Sequence, residues 1–112
     1  MPYEVMLLEN ASKDLEAIFS FLVHSAGNTK ALQEIELLEN ACNSLSENPQ
    51  RGSVPRELEK TGAFEYRQII SKSYRIIYQI IEKNVFIYGI IHGRRDVKEI
   101  LRQRLYFKNR SQ

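Results

Sequence analysis

The stretch that decides the fold runs from Phe64 to Ile91. It reads Phe64-Glu65-Tyr66-Arg67-Gln68-Ile69-Ile70, then Ser71-Lys72-Ser73, Tyr74-Arg75-Ile76-Ile77-Tyr78-Gln79-Ile80-Ile81, Glu82-Lys83-Asn84 and Val85-Phe86-Ile87-Tyr88-Gly89-Ile90-Ile91. Three runs of β-branched and aromatic residues are separated by short polar connections. Connections this short join only antiparallel neighbours, so the stretch predicts a three-stranded meander. The second and third runs are apolar on both faces. Their sheet must therefore be covered on one side and at least partly on the other.

The flanking segments supply the cover. Upstream, Tyr3–Leu8 has β character, and Asn10 offers an N-cap for a helix whose early turns carry Asp14 and Glu16. Leu15, Ile18, Phe19, Leu22 and Ala26 line one face of that helix, which ends at Gly27. A second helix follows at once. Its stripe is Ala31, Ile35, Leu38, Cys42 and Leu45, and Asn48-Pro49 stops it, so the two helices form an antiparallel hairpin. Residues 49–63 read as loop, with room for one helical turn at Arg56–Lys60. Downstream, Asp96 and Glu99 have capping-box spacing ahead of a helix with the stripe Val97, Ile100, Leu101 and Leu105. The sum is an α+β fold of order β-α-α-β-β-β-α, a helical hairpin packed on an antiparallel sheet with a C-terminal helix. We read residues 1–112 as a single domain with a frayed tail at 108–112.

Composition and charge narrow the function. The 112 residues are 43% hydrophobic and 27% charged, as in ordinary globular proteins. No run is long and apolar enough to span a bilayer, and the opening residues lack the pattern of a secretory signal. A cytoplasmic protein with no membrane partner is expected. Cys42 is the only cysteine, which excludes a disulfide framework, and two histidines (His24, His92) make no metal site unaided. There is no phosphate-binding Gly-rich loop, nucleophile elbow or zinc-protease motif, so no cofactor is expected. The net charge of +2 hides a split. Residues 1–64 carry five Lys/Arg against ten Asp/Glu, whereas residues 65–112 carry eleven against four. A basic face made by the second half suits phosphates or an acidic partner.

The candidate site lies on the meander and its exit. Strand alternation puts Arg75 on one face with Ile77, Gln79 and Ile81, and Tyr74, Ile76, Tyr78 and Ile80 on the other. An arginine among apolar neighbours is costly to bury alone, so Arg75 either pairs with a carboxylate or reaches an open groove. Arg67 is a possible cross-strand neighbour, and Arg94 and Arg95 follow the last strand. Guanidinium groups converging without matched acids would make a phosphate-shaped pocket. His92 adds an imidazole, a candidate acid or base, and Tyr66 and Tyr78 offer stacking surface.

The motifs Glu65-Tyr66-Arg67-Gln68-Ile69-Ile70, Tyr74-Arg75-Ile76-Ile77-Tyr78 and His92-Gly93-Arg94-Arg95-Asp96 resemble the RelE/ParE superfamily of toxins from bacterial type II toxin–antitoxin systems. The resemblance implies a compact fold of the order derived above and a cognate antitoxin as partner. It also implies one of two activities. RelE-like members are ribosome-dependent mRNA endonucleases (mRNA interferases). On that reading Arg75 and Arg95 match catalytic arginines, with His92 a candidate proton donor or acceptor. Some such enzymes carry a tyrosine six residues after the second arginine, where this chain has Leu101, and the lysine pair that opens their first meander strand is missing. ParE-like members, known from plasmid stabilisation modules, poison DNA gyrase by binding it. The His-Gly-Arg-Arg-Asp ending before Val97-Lys98-Glu99-Ile100-Leu101 is more similar to theirs. Arg67, Arg75, Arg94, Arg95, Tyr66 and Tyr78 would then be contact residues. A non-toxic binding module is the third expectation.

Overall fold

The computed structural model describes residues 2–110. The order is β1 (Glu4–Leu7), α1 (Glu9–Ala26), α2 (Asn28–Ser44), two 3-10 turns (Pro49–Arg51 and Arg56–Leu58), β2 (Tyr66–Ser71), β3 (Tyr74–Ile81), β4 (Asn84–His92) and α3 (Val97–Arg110). The expected α+β order is therefore observed. The sheet order is β1-β4-β3-β2. The meander pairs antiparallel, Ile69 opposite Ile76 and Ile76 opposite Ile90, whereas β1 joins β4 in parallel, Val5 opposite Val85. The all-antiparallel sheet is thus corrected at one edge. The helical hairpin between β1 and the meander is the crossover that makes a parallel pairing possible.

Both faces of the sheet are covered, as the two-sided apolar runs require. Ile69, Ile76, Tyr78, Val85, Ile87 and Ile90 pack beneath the hairpin with Ala11, Ile18, Leu38, Cys42 and Leu45. On the opposite face Tyr66, Ile77 and Ile91 meet Leu58 of the second 3-10 turn and Val97, Ile100 and Leu101 of α3. The alternation changes phase within β4. Ile77 faces Gly89 while Tyr78 faces Ile87, so Tyr88 is an extra, bulged residue. The bulge explains why Val85, Ile87 and Ile90 share one face despite their uneven spacing.

Local signals held in part. α1 starts one residue before Asn10, at Glu9, and no side chain caps it. The amide of Leu8 is still bonded to the carbonyl of Ile87, so the sheet ladder sets where the helix begins. Gly27 joins the hairpin with φ of 90°, a left-handed conformation that glycine adopts without a Cβ penalty. Asp96 caps α3, its Oδ1 accepting from the amides of Lys98 (2.9 Å) and Glu99 (3.4 Å). The capping box is only half made, because Glu99 turns instead to Arg102. Helix α3 runs through Arg110. Ser111 and Gln112, the end of the tail expected to fray, lie outside the described residues, as do the side chains of Leu105 and Tyr106.

Candidate functional site

Arg75 leaves β3 towards α3 and meets Glu57 of the second 3-10 turn. Its Nη1 donates to Glu57 Oε1 (3.0 Å) and to Gln68 Oε1 (3.1 Å). Its Nη2 donates to Glu57 Oε2 and to the backbone carbonyl of Arg95. The same Oε2 accepts from the amide of Val97 (3.1 Å), the first N–H of α3. One carboxylate thus serves a guanidinium and a helix N-terminus together. Both interactions favour its charge, the Arg75 hydrogen bond most, and Glu57 is held down at about 2.

Linkage gives this depression a sign. A carboxyl whose folded pKa is lowered stabilises the fold above its unfolded value, and the stabilisation fades as the proton binds. Glu57 titrates from its ordinary 4.5 down to about 2, so the loss falls in that window. Discounted for the partial solvation of the pair, it amounts to ~2 kcal/mol between pH 5 and 2. Chemical denaturation across that range should show the wild type losing this much more than Glu57→Gln. Parallel curves would mean that the carboxylate is not specially held.

The other sequence-selected residues scatter around this pair. Arg67 faces Tyr78, not Arg75, and points to the hairpin side. There its Nη1 donates to the carbonyls of Gly52 (2.9 Å) and Gln50 (3.3 Å). Tyr78 is fully buried, and its hydroxyl donates to the Pro49 carbonyl while accepting from the Gly52 amide (3.0 Å). Both side chains pin residues 49–53 to the sheet. Tyr66 is buried edge-on against Tyr88, ring centroids 5.3 Å apart, and burial pushes its phenol up to about 12. Neither tyrosine presents a face for stacking. Cys42 is a buried thiol, pushed up to about 12 mainly by burial, and inert.

His92 and the two arginines after it sit at the open end of the meander. The His92 ring lies edge-on to Tyr74 (6.0 Å), and its Nδ1 accepts from the Arg94 amide (3.2 Å). Beside it runs a groove of about 400 Å³ lined by Arg56, Lys72, Arg75, Arg94, Tyr74 and His92, among others, with no carboxylate among its lining residues. Lys72 also reaches Glu34 of α2 at 2.8 Å. Arg95 lines a second, adjoining hollow of about 260 Å³ with Phe21, Ile18 and Asp14, and Tyr74 and His92 stand between the two, lining both. The expected convergence of Arg75 with Arg67 and Arg95 does not occur. What meets Arg75 is the Arg95 carbonyl, and among the described residues the cations beside the groove with no ion pair are Arg56 and Arg94. Leu101 is buried in the apolar cluster. Among the described residues, no group of three metal-ligating side chains comes together, and no helix is long and apolar enough to cross a membrane.

Sequence reasoning missed three residues that organise this end of the molecule. Glu57 was invisible because its partner lies 18 residues away, across a loop. Arg104 and Asp14 are separated by 90 residues and meet at the bulge. Arg104 Nη1 and Nη2 donate to Asp14 Oδ2 (2.9 Å) and Oδ1 (2.8 Å). Nη1 also donates to the Tyr88 carbonyl (2.9 Å), and Asp14 Oδ2 accepts from the Ile90 amide (2.9 Å). The Gly at 89, beside the bulge, was the one signal available in the sequence.

Solved structures place this arrangement among known folds. The chain aligns with the chromosomal ParDE toxin–antitoxin system from P. aeruginosa at 17% identity and a TM-score of 0.68, covering 80% of this chain and 95% of that one. It aligns with the RelBE2 toxin–antitoxin complex from Mycobacterium tuberculosis at 23% identity and 0.55, covering 82% and 99%. A mutant of the E. coli toxin RelE in the free state matches at 20% and 0.57, covering 90% and 92%. The fold is therefore the one that these ParDE, RelBE2 and RelE structures share. No curated protein matches the chain. A family model does, that of the ParE toxin of type II toxin–antitoxin systems (parDE), over residues 5–97, and the chain belongs to that family.

Proposed function

We propose that this toxin is a ParE-like inhibitor of DNA gyrase, neutralised by a cognate antitoxin, and that it breaks no bond itself. The observation that carries this reading is the state of Arg75. Phosphoryl chemistry needs a cation free to receive the charge that builds on the phosphate, and a proton-transfer group within about 3 Å of the reacting oxygens. Arg75 is already bound to Glu57, and Arg95 lines the adjoining hollow and not the groove that Arg75 lines. Leu101 stands where a hydroxyl would serve. An antitoxin segment that is acidic and partly apolar suits the two hollows at the meander's end, one rimmed by Arg56, Lys72 and Arg94 and the other by Phe21 and Ile18.

One observation favours a second reading, a RelE-like mRNA endonuclease acting on the ribosome. The groove free of carboxylates holds His92 beside Arg94, a cation next to a titratable ring. The two readings separate in one experiment. The purified chain is given gyrase with supercoiled DNA, and separately translating ribosomes with a defined message. Trapped double-strand breaks and an intact message are expected. New 3′ ends within codons, with gyrase unaffected, would transfer the assignment to the endonuclease. Silence in both, with harmless expression in cells, would leave a non-toxic binding module.

A further inference from the structure

We propose that Glu57 is an internal ligand: its carboxylate fills an oxyanion seat formed by the Arg75 guanidinium and the first N–H of α3, and a phosphate group takes that seat when the carboxylate leaves it. The donors define the seat. Arg75 presents Nη1 and Nη2 as a fork to two oxygens, and the Val97 amide adds a third donor to one of them. A planar fork with a helix N-terminus beside it is the arrangement that grips phosphate as well as carboxylate. Arg75 Nε is buried and, among the described residues, has no hydrogen-bond partner, so the guanidinium retains a donor that the carboxylate does not use. A phosphate brings more oxygens than Glu57 can.

The seat has an approach and a movable occupant. Arg75 itself lines the groove that holds Arg56, Lys72, Arg94 and His92, so an anion drawn into the groove arrives beside the fork. Pro55 and Leu58 on either side of Glu57 are buried, which fixes the backbone of the turn. The Glu57 side chain is 23% exposed, against 11% for Arg75, so the carboxylate can rotate away without the turn unfolding. The arrangement is self-inhibiting, because an incoming phosphate must first displace a carboxylate that is covalently at hand. The inference stands on this geometry and does not depend on gyrase being the target.

The test uses the full chain and inorganic phosphate, with chloride at equal ionic strength as the control. The wild type should show no phosphate-specific change in melting temperature. Glu57→Ala empties the seat, and phosphate at ~10 times its Kd should raise the melting temperature by about 5 °C or more. Adding Arg75→Ala should abolish that rise. If Glu57→Ala does not fold in chloride, recovery on refolding in phosphate is the readout. Glu57→Gln, which keeps the shape and loses the charge, should bind phosphate roughly tenfold more tightly than the wild type. A short single-stranded oligonucleotide identifies the source of the phosphate. Tighter binding than inorganic phosphate, with a salt dependence of ~2–3 released counterions, points to a polymer backbone; equal binding points to a small phosphate, and the seat stands either way. The proposal is overturned if neither Glu57 variant responds to phosphate beyond the wild type, or if the response survives loss of Arg75.

Discussion

Arg104→Ala is expected to lower the melting temperature by about 10 °C or more. Arg104 and Asp14 are 18% and 14% exposed and share two hydrogen bonds. Removing the guanidinium leaves a mostly buried carboxylate with only the Ile90 amide as donor, and the bulged Tyr88 carbonyl without its donor. Such losses cost ~2–4 kcal/mol, and each kcal/mol moves a domain of this size by roughly 4–8 °C. The reason for so large an effect is position. Asp14 comes from α1 over one face and Arg104 from α3 over the other, and they close around the edge of β4 just beyond the end of β1. Gly89 leaves the space: a Cβ there would lie 2.6 Å from Arg104 Nη1. The atom it meets is the flexible end of a long side chain, so Gly89→Ala should cost clearly less than Arg104→Ala while leaving both charges in place. A double-mutant cycle between Asp14 and Arg104 with a coupling under ~0.5 kcal/mol would show that the clamp is ornamental.

Gly52→Ala carries the second large effect. An added Cβ would overlap the Tyr78 hydroxyl and sit 2.7 Å from the Gln68 carbonyl, with no flexible atom to give way. The cost is ~2–4 kcal/mol, since the loop must lift off the sheet or Tyr78 must leave a fully packed site. Tyr78→Phe isolates the polar part. It strands the Pro49 carbonyl and the Gly52 amide and should cost ~1–2 kcal/mol. Both variants, assayed well below their melting temperatures, are expected to engage the target as the wild type does. Loss of target engagement by a folded Tyr78→Phe protein would return Tyr78 to the contact surface and contradict its burial.

What could be read from the residues was whatever repeats locally. The meander, the hairpin and α3 announce themselves by periods of two and of 3.6, and the two-sided cover follows from apolar strands with no polar face. The alternation that set Arg75 apart from Tyr78 was correct through β3. It could not see that Tyr88 shifts the phase in β4, because a bulge changes the register of a partner and Gly89 beside it is too weak a mark on its own. The same limit governs the site. Arg75 was correctly singled out as a charge needing a partner, yet Glu57 sits in a segment with no period, and its reach depends on how Pro55 and Leu58 seat the turn. Arg67 and Tyr78 looked like surface chemistry because strand residues of those types so often are. Their actual partners are backbone groups of residues 49–52, which carry no sequence signature at all. The charge asymmetry proved more durable. Arg56 excepted, the cations of the groove come from the basic half.

The bridge between Ser53 and Gln68 governs how this molecule behaves in a crowd. Gln68 lends both its amide and its carbonyl to Ser53, at 2.7 and 3.1 Å, so these groups turn away from β3. By the two-residue repeat of a strand, the outward positions of β2 are 66, 68 and 70, and the middle one is spent. A like strand from a second copy would have to bridge that gap and dock beside a loop already in its way. The chain thereby blunts its own longest rim against templated stacking, a safeguard that small sheets without a barrel must find somewhere.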